Sequence, residues 1–288
     1  MDYLKKHILS LVLYGLPGIF LFTGCENIDP SGFFYSSDNV NERFAQSMEW
    51  NRAADTVPCI EIDSNAYSFM AVGDVHVGGT RNLRSFLQKA VYPDASFMVL
   101  AGDLTTGRDR DMAVMKDVLE SDAQVPWYAI AGNHDLYYEG WPSYLKYFGS
   151  STYWMTVKTR DTADLFIFLD TGSAMLGKDQ TAWLKNLLKE KRQHYRYCFI
   201  IGHTNLFRSR RTTSTNPLVD ELYLLMDLCI DYDVDMVITG HDHKHSDEQI
   251  GNTTYLILDA LLDGYKYASY LKVDVADGGI SRKFYPVD

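Results

Sequence analysis

Short apolar runs alternate with amphipathic stretches over most of the chain. "YSFMAVGD" (67–74) is a continuous apolar run with a polar tip, and "RNLRSFLQKAVY" (81–92) follows with helical spacing. "SFMVLAGD" (96–103) and "RDRDMAVMKDVLESD" (108–122) repeat the pair, and "VPWYAIAGNHD" (125–135) repeats the strand with its polar tip. Further on come the strand "DLFIFLD", the helix "DQTAWLKNLLKEKRQHY", the strand "YCFIIGH", the helix "VDELYLLMDLCIDY" and the strand "DMVITGH". Buried strands alternating with amphipathic helices predict an α/β fold with crossover helices. The last segments, "TTYLILDA", "SYLKVDVAD" and "ISRKFYPVD", carry strand signals separated only by turns. They predict antiparallel pairing, so a purely parallel sheet does not account for the chain.

The polar residues sit where the strands end. Asp74 and His76 follow the first run, Asp103 the second, and Asn133, His134 and Asp135 the third. His203 follows "IIG", and His241 and His243 follow "ITG". A glycine stands directly before the first polar residue of each cluster, permitting tight turns and close approach of side chains. Carboxyl ends of strands in open α/β sheets form the crevice that binds ligands, so these tips can converge. Five of the 8 histidines lie there, whereas His7, His194 and His245 do not. A lone histidine on a loop is ordinarily a hydrogen-bonded surface residue. Five repeats of strand, glycine and ligand-type side chain point instead to a metal site. Imidazole and carboxylate donors without thiolate suit Mn, Fe, Zn or Ni.

In order, D-x-H (Asp74, His76), G-D (Gly102, Asp103), G-N-H-D (Gly132 to Asp135), G-H (Gly202, His203) and G-H-x-H (Gly240 to His243) resemble the signature of the calcineurin-like metallophosphoesterases. The resemblance covers residues 66–288 and implies a four-layer αββα sandwich, two mixed β-sheets flanked by helices. It implies two divalent metal ions, bridged by the two carboxylate oxygens of Asp103. Asp74, His76 and His243 would complete one position, and Asn133, His203 and His241 the other. His134 would act on the leaving group or the equatorial oxygens, with Asp135 orienting its ring; a helix cap is the alternative role for Asp135. The implied activity is metal-dependent phosphoester hydrolysis, by a phosphodiesterase or a phosphomonoesterase that activates water for in-line attack. A non-catalytic, surface-anchored binding protein on the same fold is the alternative. Purple acid phosphatases carry Gly where this chain has His76 and Tyr where it has Thr106, and Ser/Thr protein phosphatases differ at "GDLTTGR" and "GNHD". The broad bacterial phosphoesterase group remains.

Two further stretches bear on substrate. "FRSRR" supplies Arg208, Arg210 and Arg211, whose forks suit phosphate, although a solvated loop is the more ordinary reading for any one of them. Tyr137, Tyr138 and Trp141 could wall a base or sugar, or simply pack a loop. The expected substrate is a phosphorylated small molecule or lipid. A formal charge of -11 argues against non-specific nucleic-acid binding.

The first residues point to export. Lys5 and Lys6 precede the apolar "ILSLVLYGLPGIFLF", and "TGC" follows, the layout of a signal peptide over 1–24. "LFTGC" resembles a bacterial lipobox, with Phe22 where Leu is usual, which implies lipid on Cys25 and attachment to a membrane of the cell envelope. A cleaved secretory signal without lipid and an uncleaved anchor are the other readings. Polar residues with Pro30 and Gly32 predict a tether or loosely packed lead-in over 25–65, ahead of a single domain at 66–288. Cys198 and Cys229 fall in apolar patterns and read as buried thiols, with which Cys59 could pair.

Overall fold

The computed structural model describes residues 38–90, 95–205 and 219–287. Its elements in order are α1 (Val40–Ala54), β1 (Cys59–Glu61), β2 (Tyr67–Val72), α2 (Arg81–Ala90), β3 (Ala95–Ala101), α3 (Asp109–Asp122) and β4 (Trp127–Ile130). A 3₁₀ turn (His134–Glu139) leads into α4 (Gly140–Phe148), β5 (Tyr153–Lys158), β6 (Ala163–Phe168), α5 (Gly177–Lys191) and β7 (Cys198–Ile201). Then come α6 (Val219–Asp231), β8 (Met236–Thr239), β9 (Ser246–Ile250), β10 (Thr253–Ile257), β11 (Ser269–Ala276) and β12 (Gly279–Pro286).

The strands form two mixed sheets, ordered β1-β5-β6-β7-β8-β10-β9 and β12-β11-β2-β3-β4. Phe69 and Phe97 from the five-stranded sheet stack on each other and meet Phe166 and Phe199 of the seven-stranded sheet edge to face. These apolar faces bury each other, which is why the strands read as continuous apolar runs rather than alternating ones. On the far side of the five-stranded sheet lie Leu83 and Phe86 of α2, Met112 and Met115 of α3, and Trp141 and Tyr144 of α4. Leu184 and Leu188 of α5 and Leu225 and Cys229 of α6 cover the far side of the other. The expected αββα sandwich is the architecture of the protein. As expected, β11 and β12 pair antiparallel; β10 instead joins the other sheet, parallel to β8 and antiparallel to β9.

The lead-in expected over 25–65 is corrected from residue 40 onward. Asn39 caps α1 with its side chain, and Glu42 reaches back to the Asn39 amide, a capping box of the kind that stabilises a helix by about 1 kcal/mol. Phe44 meets Trp183 of α5 edge to face, and Arg43 is buried against Asp170. β1 then pairs in parallel with β5, so this segment belongs to the domain. The thiols of Cys59, Cys198 and Cys229 are all free, the first exposed and the others buried, so the possible pairing of Cys59 is not realised. No helix among the described residues is long and apolar enough to cross a membrane. Residues 1–37, with the export segment and Cys25, and 206–218, with Arg208, Arg210 and Arg211, lie outside the described residues.

Candidate metal centre

All the tips meet across the seam between the two sheets. β2, β3 and β4 bring Asp74, His76, Asp103, Asn133 and His134 from one side, and β7 and β8 bring His203, His241 and His243 from the other. Backbone bonds lace the tips together: Asp74 donates its amide to Gly102 O, and His76 to Asp103 O. Across the seam, the His241 amide donates to Asp74 Oδ2 at 2.8 Å. Asp74, His76, Asp103, His241 and His243 all adopt positive φ, between 43 and 74°. For non-glycine residues such backbone costs on the order of 1–3 kcal/mol each and persists where the surroundings over-determine it, commonly at functional sites. The glycines make room. A Cβ on Gly132 would stand 2.2 Å from the Asp103 amide nitrogen, and one on Gly102 2.7 Å from His203 Nδ1.

Two donor groups that do not include His134 result, and a third, His76, Asp103 and His134, overlaps both. Asp74, His76 and His243 form one, with His243 Nε2 3.3 Å from both Asp74 Oδ1 and His76 Nε2. Asp103, His203 and His241 form the other, with Asn133 Oδ1 3.1 Å from His203 Nε2. Asp103 Oδ2 is common to both, 3.3 Å from His203 Nε2 and 3.7 Å from His76 Nε2. Asp103 Oδ1 accepts the His134 amide at 2.7 Å, which fixes the orientation of the carboxylate that would be shared between the two groups.

The arrangement fits cations. Asp74 Oδ1 is buried with the His243 imidazole 3.3 Å away, and a buried carboxylate is costly without positive charge beside it. His203 Nδ1 lies 2.9 Å from Ala101 O, an orientation that makes it the donor and leaves Nε2 as a ligand atom. The electrostatics agree. Burial alone would depress His203, but the Asp103 carboxylate pushes it up to about 9. Burial would raise Asp74 and Asp103, yet the surrounding imidazoles hold both below the usual carboxylate range. Burial and His134 bring His76 down to about 3, so its lone pair is available at neutral pH. Two buried carboxylates set among imidazole donors call for positive charge.

The flanking residues divide. His134 Nε2 lies 4.0 Å from Asp103 Oδ2, and its ring meets His76 edge to face. Asp135 does not orient the His134 ring; that expectation is corrected. Its carboxylate accepts from the amides of Leu104, Thr105 and Gly132 and from Thr105 Oγ1, pinning the β3 tip to the β4 tip. Burial and Asp103 push Asp135 up to about 7. Trp141 is a core residue stacked on Tyr144, and Tyr138 lies under the Arg108 guanidinium, so neither walls the centre. Sequence reasoning missed Thr171, whose Oγ1 accepts the amides of His203 and Thr204. A Thr after the β6 tip "FLD" is its only trace.

Solved structures share this fold. GAP50, described as the anchor in the inner membrane complex of Plasmodium, is 16% identical with a TM-score of 0.62, covering 78% of this chain and 86% of its own. A dimetal phosphatase from Danio rerio is 12% identical with a TM-score of 0.62, covering 77% of this chain and 96% of its own. No curated protein matched the sequence. The family model described as Calcineurin-like phosphoesterase matches residues 67–245, which span all five motif blocks. With the sandwich, the motif order and that match in agreement, the chain belongs to the calcineurin-like phosphoesterase family.

Proposed function

We propose that the protein is a metal-dependent phosphoester hydrolase whose two donor groups hold a pair of divalent cations. The observation that carries this reading is Asp103 Oδ2, one carboxylate oxygen facing the ligand imidazoles of both groups. Asp74, His76 and His243 would hold one cation, Asn133, His203 and His241 the other. Such cations supply a water-derived nucleophile at neutral pH and neutralise charge on the phosphoryl oxygens. The neutral donor Asn133 supplies an oxygen without adding negative charge, which favours entry of an anionic substrate.

His134 stands beside this centre, about a fifth exposed and therefore within reach of a substrate. Burial holds its ring below the usual imidazole range, against the pull of Asp103. A neutral ring at pH 7 acts by hydrogen bonding to an equatorial or leaving oxygen rather than by surrendering a proton from an imidazolium. Asp135 keeps the two tips in register and touches no reacting atom. GAP50 carries a description as an anchor, but this chain retains every motif residue of the donor set, which favours catalysis over a purely binding role.

The test is direct. Residues 26–288 stripped with a chelator should be inactive and should regain turnover of generic phosphomonoesters or phosphodiesters with Mn, Fe, Zn or Ni. No turnover with any of these ions would refute the enzymatic reading. The reading extends to location: Lys5, Lys6, the apolar run and "TGC" support export and lipid attachment at Cys25. Cys25→Ser should move the protein from the membrane fraction to the soluble one; unchanged fractionation would remove the lipid anchor.

A further inference from the structure

The backbone just beyond His134 is strained in a way that the metal ligands do not explain. The 3₁₀ turn breaks at Tyr137, which is extended (φ −66°, ψ 156°), and Tyr138 and Glu139 both adopt left-handed backbone with φ of 56 and 58°. Two consecutive left-handed residues without glycine cost on the order of 1–3 kcal/mol each. Neighbours hold the break. Gly107 packs so closely beneath it that a Cβ there would lie 2.5 Å from both His134 O and Tyr137 O. The Arg108 guanidinium sits 4.0 Å over the Tyr138 ring.

The turn before the break sets the position of Tyr137, four residues beyond Asn133. Its side chain lies back over Asn133 and His134, and the break after it diverts the chain that follows. Asn133 Nδ2 donates to the Tyr137 hydroxyl at 3.1 Å, while Asn133 Oδ1 faces His203 Nε2. The Tyr137 ring lies 4.6 Å from the His134 ring, whose other neighbour is His76 at 4.4 Å. One half-buried side chain thus touches both the oxygen donor of one group and the imidazole beside the shared carboxylate.

We propose that Tyr137 is a positioning residue with two separable tasks. Its hydroxyl takes the Asn133 amide N–H, so that Oδ1 and not Nδ2 faces the cation position. Its ring, with His76, fixes the plane of His134. An amide side chain is two-faced, and the wrong face would point an N–H at a cation. Outer partners of metal ligands typically matter by about 10–100-fold in metal affinity or activity. This inference rests on the proposed two-cation hydrolase, but its first readout does not depend on turnover.

The experiment separates the tasks. Tyr137→Phe removes only the hydroxyl, so calorimetric titration with Mn2+ should show one of the two sites weakened by about 10–100-fold. Turnover of this variant at saturating Mn2+ is the reference against which the ring's contribution is read. Tyr137→Leu also removes the ring, so its kcat at saturating Mn2+ should fall about 10-fold or more, a loss that Phe rescues. Thermal unfolding of both variants identifies any loss due to misfolding. In an Asn133→Ala background, Tyr137→Phe should have no further effect on Mn2+ affinity. Unchanged affinity in Tyr137→Phe, or additive losses in the double variant, would overturn the hydroxyl's role. Equal kcat in the Phe and Leu variants would overturn the ring's. If the parent binds two Mn2+ ions but hydrolyses nothing, the affinity arm still decides the Asn133 contact while the hydrolase reading fails.

Discussion

Asp103→Asn should abolish turnover while leaving the fold in place. The replacement is isosteric, and an amide oxygen at the Oδ1 position still accepts the His134 amide that Asp103 Oδ1 accepts at 2.7 Å. The tip of β3 therefore keeps its backbone connections to the tips of β2 and β4. At the Oδ2 position, however, an NH2 group now faces His203 Nε2 and His76 Nε2, where the carboxylate oxygen stood at 3.3 and 3.7 Å. A donor of electron pairs to both groups becomes a donor of protons to both, and the negative charge they share disappears. Removing a single element of transition-state stabilisation costs about 10²–10³ in turnover, and this change strikes two donor groups at once, so a loss of at least about 10³-fold is expected. Steady-state kinetics at saturating Mn2+, with thermal unfolding alongside, check it. A rate near that of the parent in a folded variant would show that Asp103 is not shared between two cations.

The strand tips were legible because each is local in sequence: an apolar run, one glycine and a ligand-type residue within a few positions. The sandwich was legible for a related reason, since strands buried on both faces leave continuous apolar runs. What escaped was set by contacts distant in sequence or by side-chain rotation. α1 has no apolar stripe, because the residues it buries are Val40, Arg43 and Ser47, and only the Asn39–Glu42 capping box marked it. β9 is the polar edge strand "SDEQI", which pairs on one side only. Asp135 adjoins His134 in the motif, but the chain turns its carboxylate toward the amides of Leu104, Thr105 and Gly132. The same limit applies to Asp103, where spacing identifies the residue and cannot say which oxygen faces the centre. Tyr137 lay in a stretch rich in aromatic residues, where only the break in the turn separates it from Tyr138 and Trp141.

Arg43→Met should destabilise the protein more than any other single change in the segment before β2. Arg43 is 1% exposed and forks onto Asp170, with Nε 2.7 Å from Oδ2 and Nη2 3.3 Å from Oδ1, and it also reaches Ser173 Oγ and Asp38 O. Methionine fills much of the same space but leaves the Asp170 carboxylate buried without its counter-charge. Breaking a buried pair in this way costs about 3–5 kcal/mol. For a fold of this size each kcal/mol is roughly 2–4 °C, so Tm should fall by about 6–20 °C. The damage should also reach the metal centre, because Asp170 adjoins Thr171, whose hydroxyl accepts the amides of His203 and Thr204. Mn2+ affinity should therefore weaken in the same variant, which an isolated tether helix would not bring about. Adding Asp170→Asn removes the stranded charge and keeps an acceptor for the Gly172 amide, so the double variant should recover much of the lost Tm. Differential scanning calorimetry of both variants decides the matter: an unchanged Tm for Arg43→Met would mean that α1 only rests on the domain, and no recovery in the double variant would mean that the arginine acts through packing rather than charge.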